Sequence, residues 1–398
     1  MTSTIVVAGG VYAERCLWPD WEQVFGSAGR AACALTGGGA DVVLRTRTSD
    51  ELALRMTAQA NVYGISFRPE KGEQSIEFDY VHPMAVPTIR PGLGRIKPTS
   101  PIEAEGDIVL RFGMLESTVK SKARRTVYDP QSAFAPEPFG DNGSSTEHLA
   151  IVANRREAVE LGRKADPVDA ARVLVQEGAK VVVVKAGAEG AYVVQGASAP
   201  KFVPAFQSDS VWTIGSGDVF AAAFALYWGV EQADPHEAAL LASKAVADYS
   251  LTRALPIRPR AALAALQFRE CAFHPGRVYL AGPFFTLAQR WLVDEIKRCL
   301  ESMGLSVFSP VHQVGPGPAD IVASADLAGL DGCEVVFAIV DGIDSGTLFE
   351  VGYARAKGKP VYAFAQNVSD EDLKMLEGSG CRIGGDLVSL LHHLAWRV

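Results

Sequence analysis

Two short stretches combine acids, glycines and hydroxyls at spacings that can do chemistry. Thr213-Ile-Gly-Ser-Gly-Asp218 runs directly into Val219-Phe-Ala-Ala-Ala-Phe-Ala-Leu226. Small residues at Gly215, Ser216 and Gly217 let backbone N–H groups converge at a helix N-terminus, where the dipole favours an anion. Such a nest holds a phosphate, or the charge that develops in phosphoryl transfer. Asp218 beside it can take a proton from an attacking hydroxyl. The second stretch is Asp344-Ser-Gly-Thr-Leu-Phe-Glu350. A carboxylate nucleophile with a second acid nearby suits cleavage of a bond to an anomeric carbon. One acid traps the oxocarbenium-like centre while the other protonates the leaving group. Each stretch also has a purely structural reading. Asp218 can sit at the N-cap of a glycine turn, and Thr347-x-x-Glu350 matches a capping box. Asn154-Arg-Arg-Glu157 matches one too.

The elements that must carry these residues are legible as short apolar runs alternating with helical stretches. Ile5–Ala8, Ile108–Phe112, Leu149–Ala153 and Lys180–Lys185 read as buried parallel strands. Helices at 156–164 and 167–176 lie between them, which predicts a layered α/β fold. Residues 64–80 alternate around Pro69-Glu-Lys-Gly-Glu and read as a β-hairpin projecting from the sheet. A break falls at 267–276, where charge, Pro275 and Gly276 interrupt the pattern. The βα alternation then restarts at Arg277-Val-Tyr-Leu-Ala. The expected organisation is a domain at 1–266, a linker at 267–276 and a second domain at 277–398. In the second domain Tyr279, Asp326, Asp344 and Glu350 fall near strand ends or helix starts, where ligands of open α/β sheets collect.

Composition removes several classes. The 398 residues carry 38 basic and 46 acidic side chains, a net charge of −8. An acidic chain without a dense Lys/Arg run is a poor general nucleic-acid binder. No apolar run reaches the ~18–20 residues that span a bilayer. The longest, Val219–Trp228, reads as a buried helix. The opening Met1-Thr-Ser-Thr-Ile-Val-Val-Ala lacks a basic region and a cleavage site, so no secretory leader is expected. Six cysteines lie far apart and never form Cys-x-x-Cys, which points away from zinc or a disulfide framework and toward a reducing cytoplasm. His392-His393 reads as a surface or interface pair and not as a metal pair, because adjacent helical residues diverge by about 100°.

Read in order, several elements of residues 1–266 resemble the PfkB, or ribokinase-like, family of sugar and nucleoside kinases. A first strand enters Gly9-Gly10, and Gly26-Ser-Ala-Gly29-Arg follows. Val127-Tyr-Asp129-Pro130 and Asn154-Arg-Arg-Glu157 come next. Val183-Val-Lys185-Ala-Gly187 and the Gly-Ser-Gly-Asp218 stretch complete the series. The resemblance implies an α/β/α domain with a small β lid that uses ATP and Mg2+ to phosphorylate a hydroxymethyl group. It casts Asp218 as base and Gly215, Ser216 and Gly217 as anion hole. Lys185 and Gly187 fall on the cofactor side, and Asn154 and Glu157 organise magnesium and phosphate indirectly. The hairpin at 64–80 becomes the lid. Two departures stand at the sugar-reading end. Glu14 lies in Gly10-Val-Tyr12-Ala-Glu14, where the family usually has an Asp. The glycine element with Gly26 and Gly29 lacks the usual Gly-Gly pair and Asn.

Residues 277–367 resemble the nucleoside 2-deoxyribosyltransferase family. The shared elements are Tyr279-Leu-Ala-Gly282-Pro-Phe284-Phe285, the Asp326-Leu before the third strand, Asp344-x-Gly-Thr-x-x-Glu350-x-Gly-Tyr-Ala, and the following Gly-Lys-Pro. The resemblance implies a flavodoxin-like or Rossmann-like doubly wound domain that needs no cofactor. Glu350 would attack C1′ of a deoxyribose, and Asp326 would assist protonation of the leaving base. Asp344 would bind near base and sugar, and Tyr279 would orient Glu350. Gly282, Phe284, Phe285 and Asn367 would touch substrate. The apolar Pro283-Phe-Phe-Thr286 loop favours a nucleoside over a nucleotide. A homo-oligomer through 277–398 is expected, and the aromatic Leu391-His-His-Leu-Ala-Trp396 end supports it.

The combined expectation is a bifunctional enzyme acting on nucleosides, pentoses and nucleobases. The rival is an N-glycosidase whose kinase-like domain only binds and oligomerises.

Overall fold

The computed structural model describes residues 3–132 and 135–398. Met1 and Thr2, which open the stretch read above as carrying no leader, lie outside it. The chain divides into two compact units, residues 1–271 and 272–398.

Unit 1 contains thirteen strands among its described residues. They are β1 (Thr4–Ala8), β2 (Ala13–Cys16), β3 (Trp21–Val24), β4 (Asp41–Thr48), β5 (Ser66–Lys71), β6 (Glu77–Tyr80), β7 (Thr88–Arg90), β8 (Ile102–Phe112), β9 (Val119–Asp129), β10 (Ser145–Asn154), β11 (Val181–Lys185), β12 (Gly190–Val194) and β13 (Lys201–Pro204). Nine of them form one sheet in the order β13-β12-β11-β10-β9-β8-β1-β4-β5. The strands from β11 to β5 are parallel, and β12 and β13 close the other edge antiparallel. Val181 to Val184 are all buried, as a parallel strand covered on both faces requires.

Two helices matter most for the site. Gly26–Leu35 is built mostly from Gly, Ala and Ser, with Cys33, Leu35 and one charged residue, Arg30, and nine of its ten residues are buried. Its small side chains let it pack closely on β1 and on the helix Ser216–Phe224. That second helix, led by Gly215, runs on into a π-helical turn, Ala225–Val230. The run Val219–Trp228 is therefore a buried helix, and no helix among the described residues is long and apolar enough to cross a membrane.

The segment 64–80 is not a hairpin. Strand β5 is the parallel edge of the large sheet beside β4, whereas β6 joins a separate four-stranded sheet in the order β3-β2-β6-β7. The lid is built from residues 13–24 and 77–90, and Glu14 lies on its strand β2. Alternation correctly marked extended chain at both ends of 64–80. It carries no information on which strand each end pairs with.

Unit 2 has one parallel sheet: β14 (Arg277–Ala281), β15 (Ser306–Phe308), β16 (Val335–Ile339), β17 (Val361–Phe364) and β18 (Arg382–Gly384). The order β15-β14-β16-β17-β18 is the doubly wound, flavodoxin-like order, with its switch point between β14 and β16. The last helix, Leu387–Trp396, is buried from Val388 to Trp396. His392 and His393 are thus interior residues, not a surface pair. His392 Nδ1 lies 2.8 Å from the Val388 carbonyl oxygen and its ring meets Trp396 edge-on. Burial pushes the pKa of His392 down to about 4. The aromatic end of the chain is spent on packing, so it no longer argues for an oligomer.

Candidate functional site

In unit 1 a cavity of about 230 Å³ opens between lid and sheet. Glu14, Gly26, Gly215, Gly217 and Asp218 line it, with Phe78 and Tyr80 of the lid and Gln131. Gly215 sits in the left-handed region at φ 78° and is the N-cap of the helix Ser216–Phe224. Asp218 does not cap that helix. Its Oδ2 accepts from Arg30 Nη1 at 2.7 Å and its Oδ1 from Gln131 Nε2 at 3.1 Å. Arg30 also forms an ion pair with Glu14, so a fully buried guanidinium bridges the two pocket carboxylates. Burial raises the pKa of Glu14, and Arg30 opposes that rise. A Cβ on Gly215 would lie 2.1 Å from Arg30 Nε, so glycine is needed there for space as well as for backbone angle. Gly26, at φ 59°, brings its helix against the Gly10 carbonyl. Gly29 faces Met56 and Val11 and serves packing, away from the cavity.

Beside the same helix start, Lys185 Nζ reaches Asp129 Oδ2 at 2.5 Å. Burial raises the pKa of Asp129 and Lys185 pulls it back. Asp129 Oδ1 is buried with no hydrogen-bond partner among the described residues. A Cβ on Gly217 would lie 3.6 Å from Lys185 Nζ, which places an ammonium at the first turn of the anion-favouring helix. That donor set fits a polyphosphate. Gly187, at φ 60°, opens the tight turn Gly187–Glu189 after β11.

Asn154 and Glu157 do form a capping box. Asn154 Oδ1 accepts from Glu157 N at 2.9 Å and Glu157 Oε2 accepts from Asn154 N at 2.8 Å. Glu157 Oε1 accepts from Ser132 N at 3.2 Å. With these oxygens spent on backbone donors, neither residue is arranged as a direct metal ligand.

In unit 2 the site forms where β14 and β16 end. Tyr279 is fully buried on β14, stacked on Phe308 at 5.5 Å. Its hydroxyl donates to Glu350 Oε1 at 2.5 Å. Gly329 presses on the Phe308 ring, where a Cβ would stand 2.2 Å from it, and so seats the helix Ala319–Asp331 close to β15. That helix brings in Asp326, whose Oδ1 is buried and unpartnered among the described residues. Burial raises the pKa of Asp326. The pKa of Glu350 is pushed up to about 7, first by burial and then by Asp326 and Asp344, while the Tyr279 hydrogen bond opposes this.

The capping-box reading of Glu350 does not survive. The helix is Ser345–Ala356 and its N-cap is Asp344, whose Oδ2 accepts from Thr347 N and from Thr347 Oγ1, both at 2.8 Å. Glu350 lies in the second turn, free for Tyr279. Gly282 packs on Ile339, and Phe284 and Phe285 form a tilted pair 5.1 Å apart with Phe285 exposed. Asn367 is exposed and joined to Asp341 through its backbone N–H at 2.8 Å. Among the described residues no hydrogen bond joins it to Glu350.

Sequence reasoning passed over Arg30 and Gln131, and named Lys185 without its pairing to Asp129. The one available signal was Arg30 itself, a lone charge in an otherwise small and apolar helix.

Comparison with known proteins agrees with both halves. Residues 148–259 match the model of the pfkB family of carbohydrate kinases, and residues 278–381 match that of nucleoside 2-deoxyribosyltransferases. Unit 1 has the ribokinase-like fold. A ribokinase of Arabidopsis thaliana, solved with ribose and ATP, aligns at 16% identity and TM-score 0.51, covering 66% of this chain and 98% of that one. A fructokinase double mutant of Vibrio cholerae O395, solved with fructose, ADP and a potassium ion, aligns at 14% identity and TM-score 0.50, covering 66% and 98%. The chain therefore joins a ribokinase-like domain, similar in part to pfkB carbohydrate kinases, to a nucleoside 2-deoxyribosyltransferase-like domain.

Proposed function

We propose that the protein is a two-activity enzyme of nucleoside and pentose metabolism. Unit 2 breaks or exchanges the N-glycosidic bond of a 2-deoxynucleoside. The observation that carries this reading is the Tyr279–Glu350 hydrogen bond at the strand ends, with unpartnered Asp326 nearby. Glu350 forms an ester to the anomeric carbon as the C–N bond breaks. The bonding pair leaves with the base, and Asp326, kept protonated more readily by burial, supplies the proton. Attack by a second base or by water then releases Glu350. Tyr279 holds the carboxylate in one orientation and stabilises its ionised form.

Unit 1 transfers the γ-phosphate of ATP to a hydroxyl. The Asp218 carboxylate, which lines the cavity, receives the hydroxyl proton. The backbone N–H groups at Gly215 to Gly217 and the Lys185 ammonium hold the phosphate charge. Magnesium, when bound, neutralises charge on the phosphates. Asn154 and Glu157 contribute to it only indirectly, by fixing the chain around Ser132.

The test is to incubate the full chain with each deoxynucleoside, with and without adenine and ATP, and identify every product by mass. Base exchange that requires adenine supports the transferase reading. Free base released without an acceptor makes unit 2 a hydrolase. No glycosidic cleavage of any deoxynucleoside or deoxynucleotide contradicts the reading of unit 2, and no ADP with any pentose or nucleoside contradicts that of unit 1.

A further inference from the structure

The cavity of unit 1 has a charge arrangement that the proposed reaction does not by itself require. Two carboxylates, Glu14 from the lid and Asp218 from the helix start, face the same space. Behind them lies one guanidinium with no solvent exposure. Arg30 Nη1 lies 2.7 Å from Asp218 Oδ2 and 3.3 Å from Glu14 Oε1, and Nη2 completes a forked pair with Glu14. Arg30 does not line the cavity, so any effect on a ligand passes through the two acids. Glycine at 215 is what leaves room for it.

The energetic logic is direct. Two buried carboxylates side by side cannot both stay ionised without a counter-charge. A shared arginine fork supplies that charge and fixes both planes at once. Removing one member of such a group leaves an uncompensated buried charge, which destabilises strongly. Other titratable groups around the acids cannot replace Arg30. Tyr80 and Tyr249 are buried phenols that remain neutral, Glu116 is itself an acid held by Tyr12, and Lys185 is committed to Asp129.

We propose that Arg30 is a positioning residue, a shared buried counter-ion that holds the Glu14 and Asp218 carboxylates turned into the cavity as paired acceptors. The cavity wall then offers acceptors with a net negative charge, which selects a neutral hydroxyl donor over an anionic one. The role of Asp218 as base rests on the kinase reading above, whereas the ion group does not.

Calorimetry of the full chain as a function of pH separates these. Arg30→Gln should lower the melting temperature of one transition at about pH 8. That deficit should shrink by roughly half or more at about pH 5.5, because a proton on one acid replaces the missing guanidinium. Adding Glu14→Gln to Arg30→Gln should recover stability at about pH 8. Arg30→Lys, which keeps a cation, should show a smaller deficit that does not shrink on acidification. If Arg30→Gln fails to fold, the double variant and the lysine variant still decide. A deficit that is flat with pH, or a double variant no more stable than Arg30→Gln alone, would overturn the proposal. These melts need no substrate, so they stand or fall separately from phosphoryl transfer. Where a substrate turns over, Arg30→Lys should also move the acid limb of the pH–rate profile, which a merely structural role would leave in place.

Discussion

Tyr279 Oη and Glu350 Oε1 lie 2.5 Å apart, joining the first strand of unit 2 to a helix that starts 66 residues later at Ser345. The bond ties the orientation of a proposed nucleophile to a ring that is itself immobilised by stacking on Phe308.

Because Glu350 is pushed up to about 7, glycosyl transfer should decline below about pH 7 as the carboxylate is protonated. Tyr279→Phe removes the one interaction that favours the charged form. Its acid limb should therefore move to higher pH, with kcat/KM down by roughly 10-fold or more at neutral pH. A profile that is unchanged, or displaced to lower pH, would show that Tyr279 does not tune Glu350.

The same shift has a consequence for stability. In the folded state Glu350 gains its proton more easily than in the unfolded chain, so ionising it costs stability as pH rises from about 4.5 through about 7. Glu350→Gln should accordingly be more stable than the parent above about pH 7, by on the order of 1–2 kcal/mol for a partly exposed group. The two proteins should converge below about pH 4.5. Equal pH dependence of the two melting curves would remove this account of the residue.

Asp344, not Thr347, holds the start of the helix Ser345–Ala356. Asp344→Ala should cost about 1 kcal/mol of stability, and Asp344→Asn only part of that, since an amide oxygen can still accept from Thr347 N. Thr347→Ala leaves that backbone bond in place and should cost less than Asp344→Ala. Melting temperatures ranked the other way would reassign the cap.

In unit 1, Asp218→Asn should reduce ATP-dependent phosphorylation by at least ~10²-fold while leaving glycosyl transfer by unit 2 unchanged. Phosphorylation at the parent rate would remove Asp218 as the base.

Much of this was legible in the residues because local rules and tertiary structure agree. Val181–Val184 is buried on both faces and reads as such, and so do the strands of unit 2 that carry Tyr279 and precede Glu350. What escaped depends on partners distant in sequence. Residues 64–80 alternate as strands do, yet β5 and β6 belong to different sheets, and no periodicity encodes a partner. Arg30 announces a buried charge, but its partners lie 16 and 188 residues away. At position 344 two motifs overlap. An acid three residues before Thr347 and a Glu three residues after it both permit a cap, and only the helix start at Ser345 decides. The surface-or-interface reading of His392-His393 fails because the Val388 carbonyl and the Trp396 ring satisfy His392 inside the unit, and neither partner is marked by the His-His pair itself.

The central claim is that Glu350 becomes covalently glycosylated. The most direct measurement is the mass of its peptide after incubation with a slow 2-fluoro-deoxynucleoside. The account predicts one added fluorodeoxyribosyl group on the peptide containing Glu350, absent in Glu350→Gln and removed by adding an acceptor base. Turnover by Glu350→Gln, or a label on Asp344 or Asp326 instead, would contradict it.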